Sequence, residues 1–164
     1  LSLLVQGPLV RAQVKVVLAG SVTNAAPVYD WLRNLTSGDA IASLATDNTG
    51  RFHFWMFGLS GAEPVSVTRL PGRLNRCVVQ WEIHGYYAEQ DLAASEKTFE
   101  NEVAAVMDAF EGADAMRLKA GGVNLVTESG PAQRSTAGLV MIGSTLCNYA
   151  RLSLPTVLHL GYQS

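Results

Sequence analysis

CVVQWEIHGYY, residues 77–87, runs through a short polar link into SEKTFENEVAAVMDAFE, residues 95–111. In the first segment Cys77, Val79, Trp81 and Ile83 alternate with Gln80, Glu82, His84 and Tyr86, the period of a strand with one face on a core and the other on water or a partner. In the second, Phe99, Val103, Val106 and Phe110 fall on one apolar helical stripe. A one-sided strand followed by a one-sided helix calls for a sheet layer packed against a helix layer.

The same vocabulary extends outward. Near the C-terminus Leu146, Asn148, Ala150, Leu152 and Leu154 alternate with Cys147, Tyr149, Arg151 and Ser153, a further strand; Pro155 lacks a ladder donor and predicts an edge or a bend there. Upstream, RFHFWMFGL (51–59) reads as a strand with Phe52 and Phe54 on one face and Trp55 and Phe57 on the other, which predicts burial on both sides. VSVTRL (65–70) continues it in an antiparallel meander. Val28 to Leu35 fits a short strand or a helical turn, and Thr36 to Gly50 reads as a long loop. Pro8 suits a first helical turn, with Leu9, Ala12, Val16 and Ala19 at helical spacing before Gly20, so a helix is expected from Pro8 to Ala19. Gly112 ends the acidic helix, and short strands broken by Gly121, Gly122, Gly130 and Pro131 follow. The fold class is α+β, a mainly antiparallel sheet packed against two helices in a single domain spanning residues 1–164.

At 164 residues, 48% hydrophobic and only 16% charged, the chain has few charges with which to cover a monomer's surface, which points to a subunit interface. Net charge −2 and the absence of a basic stripe argue against nucleic-acid binding. Glu89, Asp91, Glu96, Glu100, Glu102, Asp108, Glu111 and Asp114 form an acidic run with only Lys97 among them. Arg69, Arg73 and Arg76 precede it, and Arg117 and Lys119 follow. Such a split is complementary between copies, so Arg69, Arg73, Arg76, Glu96, Glu100, Arg117 and Lys119 are the expected subunit-interface residues. The N-terminal apolar run is interrupted by Gln6, Pro8, Arg11 and Lys15, too early to span a bilayer, and carries no basic leader. Cys77 and Cys147 have no ligand spacing and read as buried thiols, with a disulfide open if their strands are neighbours.

No chemical motif stands out. His53, His84 and His159 lie in strand-like segments outside any metal pattern, and nucleophile elbows, P-loops and GxGxxG are absent. The carboxylates cluster on a helix with no acid/base pair to nominate. No catalytic, cofactor-binding or metal residues are expected.

VVQWEIHGYYAEQD followed by SEKTFENEVAAVMDAF and the closing YARLSLPTVLHL, with an N-terminal helix leading into Val28-Tyr29-Asp30-Trp31, resembles the tail terminators of tailed bacteriophages, the tail-completion proteins of the neck. The resemblance implies a non-enzymatic, cofactor-free structural protein of the virion, assembled in the host cytoplasm as a hexameric homo-oligomer ring. Such a ring caps the tail tube, ends its polymerisation and joins the tail to the head connector. Its implied partners are the tail-tube protein and a head-completion or connector protein; DNA passes through the lumen without specific binding, and no membrane is involved. Alternatives are another connector or tail-tube subunit, or a small α+β enzyme or ligand-binding domain without a visible motif.

Overall fold

A computed structural model describes residues 3–33, 45–60, 75–89, 92–111, 119–120, 123–124, 126–129 and 131–160. Its elements are α1 (Leu3–Ser21), β1 (Val28–Tyr29), β2 (His53–Leu59), β3 (Asn75–Ala88), α2 (Leu92–Glu111), β4 (Lys119–Ala120), β5 (Val123–Asn124), β6 (Val126–Ser129), β7 (Gln133–Ile142) and β8 (Thr145–Leu160). The main sheet runs β1-β2-β3-β8, and the far edge of β8 is shared by β7 and β6. β1 pairs parallel with β2, and the other pairings of this sheet are antiparallel. β4 and β5 form a separate antiparallel pair. The architecture is a mixed single domain, a mainly antiparallel sheet with two helices, as the sequence pattern indicates.

The alternation in β3 sorts as expected on one face. Trp81 and Ile83 are buried against the helices with Trp55, Phe57, Leu152 and Leu154, and the α2 stripe of Phe99, Val103, Val106 and Phe110 closes over them. Trp81 keeps its indole N–H satisfied by donating to Thr156 Oγ1 at 3.0 Å. The expected double-sided burial of β2 also holds: Phe54 and Met56 sit in a second cluster with Tyr86, Ile142 and Cys147 on the opposite face. Tyr86, grouped by alternation with the polar side, is therefore buried there, stacked on Phe54 with ring centroids 4.8 Å apart.

The register places Trp55 opposite Gly85. A Cβ on Gly85 would lie 2.6 Å from the indole ring, so glycine is what lets the largest β2 side chain lie across β3. This gives the Gly-Tyr-Tyr motif its packing reason.

Two expectations change, and the disulfide left open by the sequence is excluded. α1 begins at Leu3, with Pro8 inside it, and its buried residues are Val10, Val14 and Leu18, whereas Leu9, Ala12, Val16 and Ala19 face outward. The helix is apolar on both sides, so spacing alone identified a helix but not its inner face. β8 is an interior strand: β7 pairs with it as far as Ser153 and β6 from Thr156 onward, and Pro155 falls at the changeover, where a missing donor is tolerated. Finally, Cys77 pairs with Leu158 while Cys147 pairs with Ala88, eleven residues apart along β8 and roughly 36 Å at strand rise, so no disulfide joins them. Cys147 is a free buried thiol, its pKa pushed up to about 12 by burial. The VSVTRL segment lies outside the described residues.

Trp81→Ala should cost about 3–5 kcal/mol in urea unfolding, and Gly85→Ala about 1–3 kcal/mol through overpacking against Trp55. Midpoints equal to the parent's would contradict this packing.

Candidate functional site

The densest polar cluster grows from β2. Alternation with Trp55 and Phe57 turns His53 toward the helices, where it is fully buried. Its Nδ1 lies 3.0 Å from Asp47 Oδ2 and its Nε2 lies 2.7 Å from Glu102 Oε1. Asp47 comes from the turn before β2. Its Oδ1 accepts from the Thr49 backbone N–H at 2.9 Å, the Thr49 hydroxyl at 2.6 Å and the Arg51 N–H at 3.1 Å, an Asx-type turn that aims Oδ2 at the imidazole. Glu102 projects inward from α2. Its Oε1 also accepts the Trp55 indole N–H at 2.6 Å, and its Oε2 accepts the Thr23 hydroxyl and, at 3.3 Å, the Thr23 N–H. Thr23 is delivered by the turn after α1, in which Asn24 and Ala25 take positive φ.

Burial alone would raise both carboxyl pKa values. The hydrogen bonds outweigh it, from Thr49, His53 and the Arg51 backbone for Asp47 and from His53, Thr23 and Trp55 for Glu102, so Asp47 titrates below its ordinary 3.8 and Glu102 below 4.5. A carboxylate oxygen faces each ring nitrogen, and a nitrogen that carries a proton donates to the oxygen it faces. The threonine hydroxyls beside the ring donate to the carboxylates. The cluster ties α1, the Asp47 turn, β2 and α2 together rather than presenting a nucleophile.

On the opposite face of the sheet, His84 Nδ1 is 2.9 Å from the Tyr149 hydroxyl. Its Nε2 lies 3.1 Å from Glu82 Oε1 without hydrogen-bond alignment, and Arg151 Nε pairs with that same oxygen. Burial lowers the His84 pKa, opposed by Glu82; burial, with Glu82 and Tyr149 adding to it, raises that of Tyr86. This is a half-exposed polar ladder of the kind expected for the outward face of β3.

A third feature is a cleft of about 230 Å³ between α2 and β7–β8, lined among others by Glu89, Glu96, Glu100, Asn148 and Tyr149. Both carboxylate oxygens of Glu89 are buried and without a hydrogen-bond partner, while Glu100 accepts from Arg134 Nη1 at 2.7 and 2.8 Å.

Of the expected interface residues, Glu96 and Glu100 stand exposed on α2 beside this cleft. Arg76 and Lys119 are placed only as strand positions in β3 and β4, and Arg69, Arg73 and Arg117 lie outside the described residues. Arg134, which the structure brings to Glu100, carried no sequence signal. Glu102 did carry one: it lies three residues after Phe99 and four before Val106, on the apolar stripe and not on the acidic face. The sequence reading that no carboxylate has an acid/base partner in an apolar setting is thus corrected by Asp47, His53 and Glu102. Among the described residues no group of three or more His, Cys, Asp or Glu side chains is arranged to hold a metal ion, and no helix is long and apolar enough to cross a membrane. No protein-family model and no curated protein matches the chain.

His53→Ala should cost about 3–5 kcal/mol, because it leaves two buried carboxylates facing each other uncompensated. Since the folded carboxyl pKa values lie below the unfolded ones, their stabilisation is complete above about pH 5 and is lost as pH falls through the folded values. Urea midpoints measured from about pH 6 down to about pH 2.5 should fall steeply in the parent and less so in Glu102→Gln. Parallel curves would contradict the assignment.

Proposed function

We propose that this chain is a self-assembling structural subunit whose role is the one its resemblance implies: a ring of the phage neck that caps the tail tube and joins it to the head connector. The assembling part of this reading is supported by β7. Of its ten residues only Val140 and Ile142 are covered at all, although the strand belongs to the main sheet, and Leu139, Met141 and neighbouring Leu146 are each exposed. A long strand left with apolar side chains in water is a liability that a partner surface removes. The neck role draws on the resemblance alone.

A second reading, a small α+β ligand-binding or enzyme domain, is favoured by a different observation. The Glu89 carboxylate is buried and unpartnered at the wall of the α2–β7 cleft, an arrangement that suits a small cationic ligand. Another connector or tail-tube subunit would share the surface features of the first reading.

Sedimentation velocity across a wide concentration range, followed by co-sedimentation with tail tubes, separates these readings. The proposal expects masses at multiples of 17.6 kDa, binding to tube ends, or both. A strict monomer that ignores tail tubes overturns it. A monomer whose melting temperature rises with small polyamines or guanidinium compounds, and does not rise after Glu89→Gln, favours the second reading.

A further inference from the structure

We infer that the outer face of α1 in one copy docks on the helix-side surface of the β7–β8 hairpin of the next copy. This rests on the assembling reading above and names its interface.

The register of the hairpin decides where its apolar residues point. Leu139 pairs with Asn148 and Met141 with Leu146. Asn148 is buried on the same side of β8 as Ala150, Leu152 and Leu154, the side that faces the helices. Leu139, Met141 and Leu146 therefore lie on the helix side of the sheet, at its far edge, 54%, 56% and 39% exposed. α1 packs along β1 and α2 along β3 and β8. α2 borders β7 through the Glu100–Arg134 pair and the cleft, yet Leu139, Met141 and Leu146 stay exposed beside it, and this strip is what a further helix of the layer would cover.

The occupant is argued from α1. Val10, Val14 and Leu18 face its own core, yet Leu9, Ala12, Val16 and Ala19 line its other side, with Leu9 41% and Val16 64% exposed. An exposed apolar stripe of this kind marks a surface that a partner ordinarily covers. This face forms an apolar groove with Pro8, Arg11 and Lys15 at its margin.

Charge agrees with shape. α1 carries only positive side chains, Arg11 and Lys15, and the strip on β7 is bordered by Glu89, Glu96 and Glu100 of the cleft. Lys15 lies 4.0 Å from Asp30 of its own chain, which also lines the groove, in a loose and half-exposed pair that leaves the ammonium able to reach a second carboxylate. Arg134 already pairs with Glu100, so Glu96 is the counterpart across the contact. The two patches sit at opposite ends of the sheet, so one chain cannot satisfy both by itself. Joining them is a head-to-tail contact, which closes into a ring when the rotation between copies permits.

The test is a charge exchange read by sedimentation equilibrium of the full chain. Lys15→Glu and Glu96→Lys should each weaken self-association about tenfold or more, and the double variant should recover most of the loss. Val16→Glu should abolish association, and circular dichroism should show all three variants folded because these positions are exposed. If the parent associates and these variants associate equally well, the interface is wrong while the assembling reading stands. If the parent is a monomer at every concentration and ignores tail tubes, the assembling reading fails and this inference fails with it; a monomer that still binds tube ends overturns this inference alone.

Discussion

His53, held between Asp47 and Glu102, is the contact on which the rest of the structure depends. Four segments distant in sequence meet at one imidazole: the turn after α1 through Thr23, the Asp47 turn, β2 itself and α2 through Glu102. Ion pairs of this kind contribute little net stability compared with a packed apolar substitute, but losing one member leaves a buried charge uncompensated. The network therefore acts on geometry more than on free energy. It fixes which turn of α2 sits over β2, and Trp55, donating to the same Glu102 oxygen, lies flat across Gly85 in consequence.

From that anchor the two faces of the sheet take different parts. The helix face is filled by large apolar side chains, with Trp81 and Thr156 paired internally and the Glu89 carboxylate left buried and unpartnered at the cleft. The opposite face carries aromatic rings from Tyr29 through Phe54 and Tyr86 to Tyr149, then the ladder of Glu82, His84 and Arg151. Asp47, His53 and Glu102 are thus engaged in joining elements of the fold. The surfaces proposed for a partner are the outer side of α1, the exposed strip of β7 and the acidic border of α2.

Much of this was legible in the sequence, wherever one face of an element was clearly more polar than the other. The β3 alternation and the α2 stripe sort into core and surface because their two sides differ in character. α1 defeated the same approach because Leu9 and Val16 are as apolar as Val10 and Val14, and periodicity carries no sign. β7 was not recognised: QRSTAGLVMI opens polar and small, and its strand character comes from pairing with β8 and not from its own alternation. The buried triad was hidden for another reason. Glu102 reaches Asp47 and His53 only by tertiary approach, and it sits in a run of acids in which Glu96, Glu100, Asp108 and Glu111 are exposed. Its position on the stripe between Phe99 and Val106 was the available clue, together with the inward phase of His53 beside Trp55 and Phe57.

The central claim is that His53 serves as a buried structural bridge between Asp47 and Glu102. Nitrogen-edited NMR of the imidazole at neutral pH tests it most directly. The account predicts a His53 ring N–H signal shifted downfield by a carboxylate partner and slow to exchange with water. Ring N–H protons that exchange rapidly with water would show an open histidine and contradict the account.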